Sequence, residues 1–221
     1  TNVNGELFFA ANDGVNGREL WKSDGTPEGT IMVKDIYSGT SSSSPIYLIN
    51  VNSLLYFRVN DGVNGYELWK SDGTDGGTSL VKDIYPGSGS GTPVSLTNCY
   101  GTLFIAASDR TNGSELWKSN GTPEGTVMVS DIYPGLGSGL PSSIVYIGEV
   151  LYFSANDGLN GRELWKSDGT AGGTVMVKDI YSGAVSSSPS NLTNNNGILY
   201  FTANDGENGI ELWKSDGTAE G

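Results

Sequence analysis

The sequence predicts an all-β fold, specifically a β-propeller of five blades with four antiparallel strands in each. Two observations lead there. The first is an internal repeat: Trp21, Trp69, Trp117, Trp165 and Trp213 lie 48 residues apart, as do Glu19, Glu67, Glu115, Glu163 and Glu211, with no insertion between copies. The second is composition. There are 33 glycines and 10% aromatics, and short apolar runs are separated by Ser-, Thr-, Asn- and Gly-rich gaps. That pattern means short strands joined by many turns, and nothing in it has a helical period. Four short antiparallel strands in ~40–50 residues make one propeller blade.

Each element follows from the unit, read here in its fourth copy. VLYFSAN (150–156) is an apolar, aromatic strand. DGLNG supplies Asp-Gly and Asn-Gly turn chemistry, where positive φ is tolerated. RELWKS (162–167) is the next strand, and DGTAGG the next turn. TVMVKDI (174–180) is β-branched and apolar. YSGAVSSSP is a longer loop, and SNLTN (190–194) is a weaker fourth strand closed by NNG. Adjacent large residues in LYF and LW point to opposite sides, and both are apolar, so the middle strands bury both faces. An open stack of repeats would keep one polar face per strand, which favours the propeller.

Residues 5–52, 53–100, 101–148 and 149–196 are four whole units, and 197–221 with 1–4 form part of a fifth. The opening TNVNG aligns with TNNNG at 193–197, so joining the ends leaves a 240-residue, five-unit circle 19 residues short. The expectation is one domain over 1–221 whose fifth blade is incomplete as written. Self-association is one route by which another chain completes it.

Charge and composition exclude several functions. The net charge is −13, from 25 acidic and 12 basic residues. A phosphate backbone would be repelled, so nucleic acid is not an expected partner. The absence of histidine removes Ser-His-Asp and Cys-His catalysis and His-ligated zinc. Cys99 is the only cysteine, which rules out an intrachain disulfide and suggests a small buried filler. No apolar run approaches the ~18 residues of a membrane span, so membrane insertion is not expected.

The string ELWKSDGTxxGTxxVKDI is carried by Glu19–Thr26, Gly29–Thr30 and Val33–Ile36 and by their 48-residue shifts. It resembles tandem repeats of large secreted or surface proteins, mainly bacterial, and covers essentially the whole chain. The resemblance implies an adhesion or matrix module, secreted or at the extracellular surface. The architecture is also similar to that of five-bladed lectins of the tachylectin-2 type, a likeness of blade number and unit length rather than of shared residues.

The polar residues divide into structural and candidate binding groups. Trp21 and its copies sit mid-strand beside Leu20 and are expected in the core rather than stacked on a sugar. Glu19 shares a strand face with Trp21, so its carboxylate must be paired or hydrogen-bonded. Amides of the DGVNG turn or Lys22 are the expected partners, and metal ligation is the alternative. Asn12, Asp13, Asn16 and Glu19 place hard oxygen ligands within eight residues. The alternating D-x-D-x-D-G pattern of calcium loops is missing, so no cofactor or metal is expected, and Ca²⁺ stands as the alternative to a plain turn. In SDGTPEGT, Asp24 and Thr26 are expected to bond backbone amides; the third copy has Asn120 there, which a turn tolerates and a charge-dependent ligand site would not. Asn112, Asn120 and Asn191 match the glycosylation acceptor pattern.

Tyr37, Tyr85, Tyr133 and Tyr181 open the long loop, which in propeller topology shares a face with the DGxNG turn. Tyr, Asn, Asp and backbone amides together make a shallow sugar site. The candidate ligand-binding residues are therefore Asp13, Asn16 and Tyr37, with Asp61, Asn64, Tyr85, Asn112, Tyr133, Asp157, Asn160, Tyr181, Asp205 and Asn208 in the other copies. The bland alternative is that each Tyr packs under its own loop. The expected function is non-enzymatic, multivalent binding of glycans on cell surfaces or matrix. The alternative is a structural or adhesive module with no small ligand. An enzyme is not expected, because propeller enzymes build one asymmetric centre while these polar residues recur nearly alike. A Glu19–Asp13 carboxylate pair repeated five times has no evident use in glycoside hydrolysis.

Overall fold

The computed structural model describes all 221 residues and contains nineteen strands and no helix. The strands form five antiparallel sheets, four with four strands and one with three, an arrangement consistent with a β-propeller. The chain comprises two compact units, Thr1–Asp109 with Ser119–Thr126, and Arg110–Lys118 with Val127–Gly221.

In the first unit, β1 (Asn2–Val3), β2 (Glu6–Asn12), β3 (Arg18–Ser23) and β4 (Ile31–Lys34) form a sheet in that order. A second sheet follows, in the order β5 (Ile46–Val51), β6 (Leu54–Asn60), β7 (Tyr66–Ser71) and β8 (Ser79–Lys82). β9 (Val94–Cys99) then pairs with β10 (Thr102–Asp109). In the second unit, β11 (Gly113–Ser119) pairs with β12 (Val127–Ser130). β13 (Ser142–Ile147), β14 (Val150–Asn156), β15 (Arg162–Ser167) and β16 (Val175–Lys178) follow as one sheet. β17 (Ser190–Asn195), β18 (Ile198–Asn204) and β19 (Ile210–Ser215) form the three-stranded sheet.

The strands expected at 150–156 and 162–167 appear with those limits as β14 and β15. The outer strand is shorter than 174–180, because at Ile180 the backbone leaves the ladder and its N–H turns inward to Glu163. In the middle hairpins Phe pairs with Trp, as in Phe57↔Trp69 and Phe153↔Trp165. Leu68 and Trp69 are neighbours on one strand, point to opposite faces and are both buried, so both faces of β7 are covered. The tryptophans therefore serve packing.

The SDGTxxGT segments are closed hydrogen-bond knots. Asp72 Oδ1 accepts from the N–H and hydroxyl of Thr74, at 2.9 and 2.7 Å. The Thr74 hydroxyl oxygen in turn accepts from Gly77 N, and Ser71 and Thr78 bond through their hydroxyls. Asn120 accepts the same two bonds from Thr122 in the third copy, so the knot needs an oxygen acceptor rather than a charge. Gly77 is required by space: a Cβ there would stand 2.0 Å from Asp72 Oδ1.

Side chains also reach forward by one repeat. Lys70 Nζ donates to Gly121 O at 2.8 Å, and Lys166 Nζ to Gly217 O at 2.8 Å. Tyr56 and Tyr152 lie beneath those same glycines. Between β5 and β1 Asn50 Nδ2 donates to Asn2 O, and between β9 and β5 Asn98 Nδ2 donates to Asn50 O. An unvaried 48-residue register lets one side chain serve the same latch in successive copies.

Two variants separate charge from space in the knot. Asp72→Asn is expected to change unfolding free energy by less than about 0.5 kcal/mol, since Asn120 already does the same work. Gly77→Ala is expected to cost about 1–3 kcal/mol by pushing Asp72 off Thr74. Urea denaturation of both measures the difference.

Candidate functional site

The site is built on a buried carboxylate. Glu19, Glu67, Glu115 and Glu163 are each 0% exposed. Glu19 accepts from Ile36 N at 3.0 Å, from Ser43 N at 2.9 Å and from the Ser43 hydroxyl. Glu67 accepts from Ile84 N, Tyr85 N and Gly91 N, the last at 2.6 Å. Glu115 takes Ile132 N and Gly139 N, and Glu163 takes Ile180 N, Ser187 N and the Ser187 hydroxyl. These partners correct the expectation of the DGVNG turn or Lys22. The long loop leaves the outer strand with inward-facing amides that no ladder satisfies, and the carboxylate reaches them from β3 and its counterparts. Lys22 pairs instead with Glu6 at 2.9 Å. Glu211, with no such loop in the chain, is exposed.

Burial pushes Glu67 and Glu115 up to about 7, against the amide bonds that pull them down. Burial raises Glu163 as well, opposed first by the Ser187 hydroxyl. The loop residue at this position is Gly91 or Gly139 in the middle copies, and it brings no hydroxyl.

Held by the carboxylate, the loop closes over the hairpin turn of its own repeat. Arg18 N donates to Ser42 Oγ at 2.9 Å, and Arg162 N to Ser186 Oγ at 2.9 Å. Gly17, at φ 73°, lies so close to Ser41 O that a Cβ would approach it to 2.1 Å.

The candidate turn residues lock to one another. Asp13 Oδ1 accepts from Val15 N and Asn16 N, and Asn16 Nδ2 donates to Asp13 Oδ2 at 2.7 Å. Asp61 with Asn64, Asp157 with Asn160 and Asp205 with Asn208 repeat this pairing. Asn112 donates to Thr111 Oγ1 in the third copy. The Asn16 amide holds the Asp13 carboxyl below its ordinary range, and the Asn208 amide takes Asp205 down to about 2. No group of three or more Asp, Glu, Cys or His side chains gathers as a metal centre.

The tyrosines face forward. Tyr37 lies against Gly62, Tyr133 against Gly158 and Tyr181 against Gly206, each in the turn of the following repeat. Tyr85 and Tyr133 also lie beneath Gly89 and Gly137 of their own loops. The structure thus brings Tyr37 to the Asp61–Asn64 turn, Tyr133 to Asp157–Asn160, and Tyr181 to Asp205–Asn208. A groove of about 430 Å³ runs there, lined by Ile180, Tyr181, Ser182, Asp205, Gly206 and Glu207. Cys99 is buried, its thiol pushed up to about 11 by that burial.

No protein-family model matches the chain, and no curated protein sequence does. Solved structures do. The structure of a puromycin hydrolase mutant complexed with PGG matches 96% of this chain and 34% of its own, with TM-score 0.61 and 13% identity. The computationally designed Ika8 protein matches 97% of this chain and 57% of its own, with TM-score 0.54 and 16% identity. A prolyl endopeptidase matches 95% of this chain and 33% of its own, with TM-score 0.51 and 11% identity. The chain therefore spans a third to somewhat over half the length of these proteins, and at such identities the likeness concerns the fold.

The expectation that the chain is not an enzyme is corrected by these matches, because hydrolytic enzymes share its fold. The physical reason lies in what the repetition argument counted. Scaffold residues recur, whereas the register shared by Ala10, Arg58, Ala106, Ser154 and Thr202 holds two alanines, two hydroxyl residues and one cation. Arg58 has no signal in the repeat itself; it is visible only as a departure from the other copies.

Stability depends on pH through both carboxylate sets. In the fold Glu67 and Glu115 keep a proton up to about pH 7, while the unfolded chain releases it near 4.5. Their contribution is full below 4.5 and is lost as pH rises through 7. Turn aspartates such as Asp13 and Asp205 act oppositely: their contribution is present above 3.8 and lost as pH falls. The melting temperature is expected to peak at about pH 4–5 and decline toward pH 8. The double variant Glu67→Gln/Glu115→Gln should flatten that decline, which scanning calorimetry across pH measures.

Proposed function

We propose that the chain is a five-bladed, multivalent carbohydrate-binding propeller, lectin-like, acting on glycans of cell surfaces or matrix from a secreted or surface location. The five sheets would supply its blades, and the resemblance of the ELWKSDGT-type repeats to tandem repeats of surface proteins supports the location. The observation that carries this reading is the groove of about 430 Å³ between Tyr181 and the Asp205–Glu207 turn. Tyr181 offers a half-buried ring for a sugar face, and the turn offers carboxylate and amide groups within a shallow opening. Tyr37 and Tyr133 stand in the same relation to Gly62 and Gly158, so weak sites recur and act together by avidity.

One observation favours the second reading, a structural or adhesive module without a small ligand. Asp and Asn in each turn already satisfy one another, which is what a purely structural turn needs. Haemagglutination with sugar inhibition, followed by a glycan array, separates the two. Binding that falls about tenfold or more in Tyr181→Ala, with melting unchanged, supports the lectin reading. Silence of the intact chain in both assays leaves the structural module.

Self-association belongs to the same proposal. In β19 Leu212 is 72% exposed, whereas its counterpart Leu164 is buried in a cluster with Leu199, Phe201 and Ala203 of the following repeat. A second copy that completes this sheet and packs on its face covers Leu212. Light scattering is expected to give a dimer or larger species, and Leu212→Lys to return it to monomer; a monomer at all concentrations removes this part.

A further inference from the structure

The second repeat departs from the others at three positions at once. Arg58 stands where other copies have Ala10, Ala106, Ser154 and Thr202. Tyr66 stands where they have Arg18, Ser114, Arg162 and Ile210, and Tyr47 where they have Ser95, Ser143 and Asn191. These positions vary between copies, and the second repeat alone fills all three with large side chains.

The three side chains converge. The Arg58 guanidinium carbon lies 5.0 Å from the centre of the Tyr47 ring and 5.2 Å from that of Tyr66. Both distances are within cation–π range, so the guanidinium is held between two rings. Arg58 Nε is enclosed there without a hydrogen-bond acceptor. The ion pairs of the structure, Lys22–Glu6 and Lys34–Asp75, leave Arg58 out, although the chain carries 25 acidic residues. Its terminal N–H donors are thus positioned by two rings and unclaimed by the protein.

Tyr47 joins this arginine to a cavity. A register shift between Ile46 and Ile49 places Tyr47 at φ 56°, and its side chain stays 50% exposed. Left-handed backbone is unfavourable for a bulky residue, and the other copies place Ser or Asn there. The ring lines a groove of about 380 Å³ with Leu48, Ile49, Val94, Ser95 and Leu96. That volume suits one ring-sized ligand, with apolar walls and a Ser hydroxyl.

We propose that this is a binding site for a uronic acid, a sugar carrying a carboxylate. The carboxylate takes the terminal N–H groups of Arg58, a planar fork that matches two carboxylate oxygens. The apolar face of the sugar ring rests on Tyr47 and the groove wall. The site occurs once, in the second repeat, and does not rest on the repeated tyrosine grooves: those can fail while this one binds, and the reverse.

Calorimetric titration of the whole chain at low salt tests it, with glucuronate as probe, glucose as the uncharged analogue and benzoate as a carboxylate without a sugar. Glucuronate is expected to bind saturably and at least about tenfold more tightly than glucose. Arg58→Gln should weaken it about tenfold or more, Arg58→Lys less, and Tyr47→Ser should weaken it with the charge intact, all with melting close to the parent. Equal affinity for glucuronate and glucose overturns the proposal, as does unchanged glucuronate binding in folded Arg58→Gln. Benzoate binding as tightly as glucuronate overturns the sugar assignment. Should Arg58→Gln fail to fold, the glucuronate-to-glucose ratio in Arg58→Lys decides, because a site built on this guanidinium loses preference there.

Discussion

A single carboxylate in each of the first four repeats holds the long loop in place, and most of what lies at that end of the sheets depends on it. The outer strand ends early, and the chain must cross to the next inner strand through residues that pair with no ladder. Their amides at Ile36 and Ser43, and at Ile84 and Gly91, would be buried without acceptors if Glu19 and Glu67 were absent. An unpaired buried amide costs about 1–3 kcal/mol, so the loop depends on the carboxylate although burial raises the pKa of Glu67 and Glu115. A backbone carbonyl at the same place could accept at most two bonds and would have to come from another segment. One side chain with two oxygens closes the loop from within its own repeat.

From that anchor the rest is positioned in sequence. The loop end is zipped to the flanking strands, with Ser44 N on Arg18 O and Asn60 N on Ser43 O. This sets where β5 begins. The loop start swings Tyr37 onto the turn of the next repeat, and the loop middle covers Gly17 with Ser41. The candidate grooves are therefore junctions between one repeat's loop and the next repeat's turn. A residue at the loop position adjusts the carboxylate: Ser187 adds a hydroxyl to Glu163, whereas Gly91 and Gly139 leave Glu67 and Glu115 more exposed to the cost of burial.

Repetition also explains which features are informative. Knots such as Asp72–Thr74–Gly77 and latches such as Lys70 to Gly121 recur because each copy faces the same packing problem. Once these are accounted for, the departures stand out, and Arg58 with its two tyrosines is where departure and geometry coincide. The same distinction removes the argument from recurrence against catalysis, since a repeated scaffold leaves open what its variable positions do.

The sequence by itself determined the all-β class, the limits of the middle strands, the turn chemistry and the burial of the Leu-Trp pairs in the second, third and fourth repeats. These follow from local periodicity and from φ preferences that act over a few residues, and the 48-residue register multiplied that signal. Tertiary structure decided the partners. Glu19 lies 17 residues from Ile36 and 24 from Ser43, and Tyr37 meets Gly62 in another copy. No local pattern selects among the nearby amides, because which one faces the carboxylate depends on the path of a loop that has no periodicity. The Arg58 stack was hidden likewise: Tyr47, Arg58 and Tyr66 sit on three successive strands and become neighbours only through the register that pairs β5, β6 and β7.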